Sequence, residues 1–172
     1  VDNLFASLVM IEKIRSGYDK NQLVIVSPDA CGVERARAFA KRLDAGLAII
    51  DKRRSAPNKA QAMAVIGNVE KKTAIILDDM IDTAGTLTEA ATALAEHGAS
   101  EVHACCVHPV LSGPAVDRIN DSALKTILVT DTIPLNDTAA ACDKINVLSI
   151  AELVGEAIKR SYTGESVTSL FI

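Results

Sequence analysis

The chain has 172 residues, enough for one compact domain with a hydrophobic core. Apolar residues make up 49% and aromatic residues 3%, with no Trp, so Ala, Val, Ile and Leu must build the core, as in α/β proteins with buried strands. A net charge of −4 gives no reason to expect a nucleic-acid partner. No apolar stretch approaches the length of a membrane span, and residues 1–20 lack the basic-then-apolar order of a signal peptide.

Residues 2–15 carry Leu4, Phe5, Leu8, Val9, Ile11 and Ile14 on a broad helical face that ends at Gly17. The β-branched run 23–26 reads as a buried strand. A loop at 27–32 follows, then a helix marked by Val33, Ala36, Phe39, Ala40 and Leu43. Residues 47–50 form a second strand, followed by the basic segment 51–54. Residues 73–77 form a third, followed by a helix with Leu87, Ala90, Ala91, Leu94 and Ala95 on one face and closed by Gly98. Further strands are expected at 102–107, 126–129 and 145–148, a short helix at 114–120, and a last helix at 150–160 before a Ser/Thr/Gly tail from about 161 to 172. Strands alternating with helices imply a parallel sheet, and ligands of such sheets bind beyond the carboxyl ends of the strands. Three loops there are chemically unusual: 27–32, 52–58 and 78–86. Each follows a strand, so all three belong on one sheet edge.

Asp78 and Asp79 come directly after the apolar run, and adjacent carboxylates need hydroxyl donors, a metal or a counter-charge. Ribose hydroxyls are suitable donors. Thr83, Ala84, Gly85 and Thr86 then open a helix, whose exposed amides can surround a phosphate, with Gly85 allowing close approach and unusual dihedrals. The same stretch also fits a plain capping box from Thr86 to Glu89. At 27–32, Asp29 can hold magnesium beside phosphate or simply cap the next helix. Lys52, Arg53 and Arg54 can neutralise phosphoryl charge or form a solvated basic turn.

Residues 78–86, DDMIDTAGT, resemble the ribose-5-phosphate loop of the type I phosphoribosyltransferase fold, in the form found in ribose-phosphate pyrophosphokinases. Residues 26–33 (VSPDACGV) resemble that family's pyrophosphate loop and 49–54 (IIDKRR) its catalytic loop. Residues 108–113, 130–134 and 165–171 resemble further family segments in the family's order, so the resemblance spans the chain. It implies a three-layer α/β fold with a mostly parallel central sheet flanked by helices. It also implies transfer of the β,γ-pyrophosphoryl group of ATP to ribose 5-phosphate. Asp78 and Asp79 would hold the ribose hydroxyls, and Asp82, Thr83, Ala84, Gly85 and Thr86 the 5-phosphate. Asp29 would position Mg2+. Lys52 and Arg54 would stabilise the transition state from a loop closing over the substrates. Cys31 stands where the family usually has Gly, and Ser55 where Pro is more usual.

The resemblance is to the C-terminal half of that family. The homologous N-terminal half, with much of the adenine-binding surface and a magnesium-linked histidine, is not in this chain, which opens on Val1 as a fragment or processed chain would. Other readings are a non-catalytic synthetase-associated regulatory module and a phosphoribosyltransferase. A homo-oligomer is expected from the family. Cys31, Cys105, Cys106 and Cys142 form no CxxC pair or regular disulfide spacing, which suits a reducing cytoplasm. His103, Cys105, Cys106 and His108 alternate across a strand and cannot converge on a metal. Ser166, Thr168 and Ser169 resemble a segment near a regulatory anion site, and a disordered tail explains them equally well.

Overall fold

The computed structural model describes residues 4–53 and 62–170. Its frame is a seven-stranded sheet of order β3-β2-β1-β4-β5-β6-β7, made of β1 (Leu23–Ser27), β2 (Gly46–Arg53), β3 (Ala62–Ile66), β4 (Thr73–Ile81), β5 (Glu101–Pro109), β6 (Leu124–Thr130) and β7 (Ile145–Leu148). Every neighbouring pair is parallel except β2 with β3. The mostly parallel α/β sheet expected from the sequence is therefore present.

Two apolar clusters, one on each face, make three layers. On one face α1 (Ser7–Gly17) contributes Met10, Ile11 and Ile14, and α2 (Val33–Leu43) contributes Ala36, Phe39, Ala40 and Leu43. These pack on Ile25, Ile75 and Leu77 of the sheet. On the other face α3 (Gly85–Glu96) and α4 (Ala115–Asn120) cover Val24, Val26, Ile76, Ala104 and Ile127. Alternate residues of β1 and β4 thus serve opposite faces, which is why their sequences read as unbroken apolar runs. Ile25 and Ile76 are fully buried, and burying each stabilises the fold by about 1.5–3 kcal/mol.

Several boundaries differ from the sequence reading. β4 does not end at Leu77 but continues through Asp78 and Asp79 to Ile81, because β5 extends alongside it, pairing Asp78 with Cys106 and Met80 with His108. β2 likewise takes in Lys52 and Arg53, whose backbones pair antiparallel with Met63 and Ala62 of β3. The first helix begins at Ser7 rather than residue 2, and α6 (Ala151–Thr163) runs three residues beyond its expected end. The segment α5 (Asp137–Ala140) is a single turn capped by Asn136, whose side chain accepts from the Ala139 amide at 2.8 Å. After α6, Thr168–Leu170 forms one 3-10 turn, and Arg160 donates to the Ser166 carbonyl at 3.1 Å and to the Ser169 hydroxyl.

Candidate sugar-phosphate site

Strands β2, β1 and β4 are adjacent and parallel, so the chain leaves all three at the same sheet edge. After β1, buried Ser27 donates from its hydroxyl to the Asp29 carbonyl at 2.7 Å. Asp29 Oδ1 accepts from the amides of Cys31 and Gly32 at 2.8 and 2.9 Å. This local ring pins the turn, as an Asx motif does. A Cβ at Gly32 would lie 2.8 Å from Ser27 Oγ, so the close approach, and not a special dihedral, demands glycine there. Cys31 is exposed and has no positive φ. The turn therefore does not need glycine's freedom at that position. One Asp29 oxygen holds the loop before α2 without capping the helix, whose N-cap residue is Gly32, while its second oxygen has no hydrogen-bond partner among the described residues.

The acidic pair lies near the end of β4, two residues before Ile81 closes it. Asp79 meets Arg35 of α2, with Oδ2 2.9 Å from Nη2. Burial works to raise the Asp79 pKa, but the hydrogen bonds from Arg35 and Asp78 and the Arg35 charge outweigh it, and the carboxyl ends below its usual range. Asp78 behaves in the opposite way. Burial first, then contact with Asp79 and the nearby Asp29 charge, push it up to about 6. Two adjacent acids near a strand end are thus shifted in opposite directions, Asp79 down and Asp78 up.

Beyond Ile81 the chain turns into α3. Ala84 is the residue before the helix and takes a left-handed φ of 59° while buried, a conformation unfavourable for any residue with a Cβ. The unusual dihedral therefore falls on Ala84, not on Gly85 as the motif suggests. No side chain caps α3, and Thr86 lies inside it, so the capping box is not formed. The first amides of α3 consequently have no side-chain acceptor, which suits an anion. Asp82 accepts a hydrogen bond from the Ser112 hydroxyl, and Arg118 Nη1 donates to the Thr83 carbonyl at 2.9 Å.

A cavity of about 250 Å³ is lined by Asp29, Asp78 and residues 80–87. It is smaller than the ~300–1,000 Å³ typical of sites for drug-sized ligands, a scale that fits a small polar metabolite. Asp29, Asp78, Asp82, Thr83, Ala84, Gly85 and Thr86 are thus brought together. Asp79 is not among them: it lines a second cavity of about 570 Å³ on the α1–α2 face, with Asp78, Arg35, Met10, Phe39 and His108. Lys52 is placed by its backbone near the end of β2. Arg54, Ser55 and the rest of the expected catalytic loop up to residue 58 lie outside the described residues.

Among the described residues no group of three His, Cys, Asp or Glu side chains is arranged to hold a metal. Asp29 and Asp78 are two carboxylates on one cavity, a donor set that suits a cation keeping several waters, as magnesium does. Cys105 and Cys106 face opposite clusters, both thiols pushed up to about 12 by burial. The His103 ring bonds the Thr126 hydroxyl at 2.7 Å. Their strand role therefore stands. All four cysteines are free, and no helix of the described residues is long and apolar enough to cross a membrane.

Arg35, Ser112 and Arg118 were not legible as site residues. For Arg35 a weak signal existed: a cation in the first turn of α2 opposes the helix dipole and gains from a nearby anion. Ser112 and Arg118 lie about 30 and 35 residues from their partners. Ser112 and Gly113 do not cap α4 with a side chain; Pro114 precedes it.

Comparison with known proteins gives the family. Ribose-phosphate pyrophosphokinase from Xylella fastidiosa (strain 9a5c) is 55% identical over all of this chain and 54% of its own length. That from Bordetella pertussis (strain Tohama I) is 54% identical over 99% of this chain and 55% of its own. The crystal structure of phosphoribosylpyrophosphate synthetase from Mycobacterium smegmatis superposes with a TM-score of 0.84 at 34% identity, covering 92% of this chain and 51% of that one. A purine phosphoribosyltransferase from Pyrococcus horikoshii Ot3 shares the fold alone, at 18% identity and a TM-score of 0.50 over 84% of each chain. The chain spans about half the length of the curated relatives it matches. With residues 52–172 matching the family model, the chain belongs to the phosphoribosyl synthetase-associated domain family.

Proposed function

We propose that the chain is the C-terminal half of a ribose-phosphate pyrophosphokinase and that its 250 Å³ cavity binds ribose 5-phosphate. The observation that carries this is the meeting of Asp29, Asp78 and the uncapped start of α3 on one cavity. Asp78 and Asp79 accept hydrogen bonds from the ribose hydroxyls. Asp82 and the amides and hydroxyls of Thr83, Ala84, Gly85 and Thr86 hold the 5-phosphate against the helix start. Asp79 faces the neighbouring cavity with Arg35, so its part in holding the ribose rests on the resemblance and not on the lining of the 250 Å³ cavity.

In the proposed reaction the anomeric hydroxyl of ribose 5-phosphate attacks the β-phosphorus of ATP. The bond from that phosphorus to the α-phosphate oxygen breaks, AMP leaves, and the hydroxyl proton passes to solvent. Such chemistry rests on positioning and charge neutralisation and needs no side-chain nucleophile. Lys52 and Arg54 stabilise charge on the transferring group. Asp29, with Asp78 on the same cavity, would hold Mg2+, which would supply neutralisation of the pyrophosphate charge.

The relatives are about twice as long, and the resemblance assigns much of the adenine contact to the other half. The chain alone therefore binds the acceptor sugar weakly and forms little product. A non-catalytic synthetase-associated module is the second reading, favoured by the family description. Calorimetry with ribose 5-phosphate, phosphoribosyl pyrophosphate and ATP, each with magnesium, tests these readings. Ribose 5-phosphate binding with weak ATP binding supports the first. Sugar-phosphate binding by a full-length relative carrying this half, without AMP release, supports the second. No sugar-phosphate binding by the folded chain excludes both as stated.

A further inference from the structure

The turn before α3 is held from outside by a single segment. The carbonyl of Ile81 accepts from the Leu111 amide at 3.0 Å, that of Asp82 from the Ser112 amide at 3.1 Å, and that of Thr83 from Arg118 Nη1 at 2.9 Å. Three successive carbonyls are thus drawn toward residues 111–118. No peptide bond here is cis. In a trans peptide the carbonyl and the following N–H point in opposite directions, so each tether aims the next amide away from the 111–118 segment. The amides so aimed are those of Asp82, Thr83 and Ala84, and all three residues line the 250 Å³ cavity.

The first two tethers are backbone bonds that any sequence could make. The third is a charged side chain, and it acts on the peptide that sets Ala84 in its left-handed conformation. Arg118 itself does not line the cavity. Its guanidinium spends one N–H on Thr83 and leaves a cation behind a turn that already carries the positive end of the α3 dipole. Gly85 fits the same arrangement. A Cβ there would lie 3.4 Å from Arg118 Nη1, so a side chain longer than a methyl must compete with the guanidinium for that space.

We propose that Arg118 is a positioning residue for the phosphate end of the ligand, acting through the Thr83 carbonyl to aim the Ala84 amide and adding positive potential from behind the turn. This rests on the sugar-phosphate reading of the cavity. The test is titration of the wild-type chain, Arg118→Gln and Arg118→Lys with ribose 5-phosphate, followed by calorimetry for affinity and by 31P NMR for the pKa of the bound phosphate. Thermal melts and binding stoichiometry separate affinity from the folded fraction.

Arg118→Gln is expected to weaken binding about tenfold, because losing the tether forfeits on the order of one hydrogen bond from the Ala84 amide to the charged phosphate, and to raise the bound phosphate pKa. Arg118→Lys, which keeps the charge without the planar fork, recovers part of the affinity and most of the phosphate pKa. Gln binding as tightly as wild type overturns the proposal. So does a loss that follows only the folded fraction, with unchanged affinity and phosphate pKa in the protein that remains folded. A wild-type chain that binds no ribose 5-phosphate removes the sugar-phosphate reading itself, which is a different result from binding that Arg118→Gln leaves untouched.

Discussion

Asp79 and Arg35 are joined at 2.9 Å across 44 residues of sequence, tying the end of β4 to the first turn of α2. The pair is largely exposed, so its direct contribution to stability is small. Its effect is on ionisation. Arg35→Gln is expected to raise the Asp79 pKa, because the burial that opposes ionisation then lacks its main counterweight. Carboxyl 13C NMR across a pH titration measures this. A carboxyl that titrates at the same pH in the variant contradicts it.

Asp78 gives the opposite sign. Its folded pKa, about 6, lies above the ordinary carboxylate value of 3.8, so the native state binds the extra proton. The associated stability is fully present below the ordinary value and is lost as pH rises through about 6. Asp78→Asn removes that cost, and the variant should be more stable than wild type above pH 6, by about 1 kcal/mol after solvent screening is allowed for, with the advantage fading toward pH 4. The same variant should lose ribose 5-phosphate binding. Denaturant melts at pH 5 and pH 8, paired with calorimetry, check both.

Ala84 offers a backbone test. At φ 59° glycine is relaxed, and Ala84→Gly is expected to be neutral or stabilising by up to about 1 kcal/mol with binding retained. Ala84→Val combines left-handed strain with overpacking at a buried position and should cost about 2–4 kcal/mol. Thermal melts rank the three. Equal melting temperatures for Gly and Val would show that the turn relaxes without cost.

Gly32 and Ser27 should behave as a coupled pair. Gly32→Ala places a methyl 2.8 Å from Ser27 Oγ and is expected to destabilise by about 1–3 kcal/mol. Ser27→Ala removes the obstructing hydroxyl together with its bond to the Asp29 carbonyl. The double variant should therefore be less destabilised than the sum of the two singles, as read from a denaturant double-mutant cycle. Strict additivity would contradict the steric explanation.

Much of this architecture was legible because periodicity and burial coincide. Residues 23–26 and 73–77 are unbroken apolar runs because both faces of those strands are covered, and α2 begins and ends where its apolar face does. The extension of β4 through Asp78 and Asp79 was not legible: charged residues end a strand by local propensity, and only the alignment with β5 carries it on. β3 was missed because Ala62, Met63 and Ala64 have little strand propensity and depend on pairing with β2. At the site, the acidic pair and the turn were visible as a local motif. The division of Asp78 from Asp79 across the sheet edge, the left-handed Ala84 and the Arg118 tether depend on contacts between distant segments, which no local pattern encodes.

The most direct measurement is a titration of the 15N-labelled chain with ribose 5-phosphate and magnesium, following assigned amide resonances. Saturable shifts concentrated at residues 82–87, with smaller ones at 29–32, are expected, and they should vanish in Asp78→Asn. A folded chain whose amides at 82–87 do not respond, or respond no more than those of α6 at the far edge of the chain, would contradict the assignment of this cavity to a sugar phosphate.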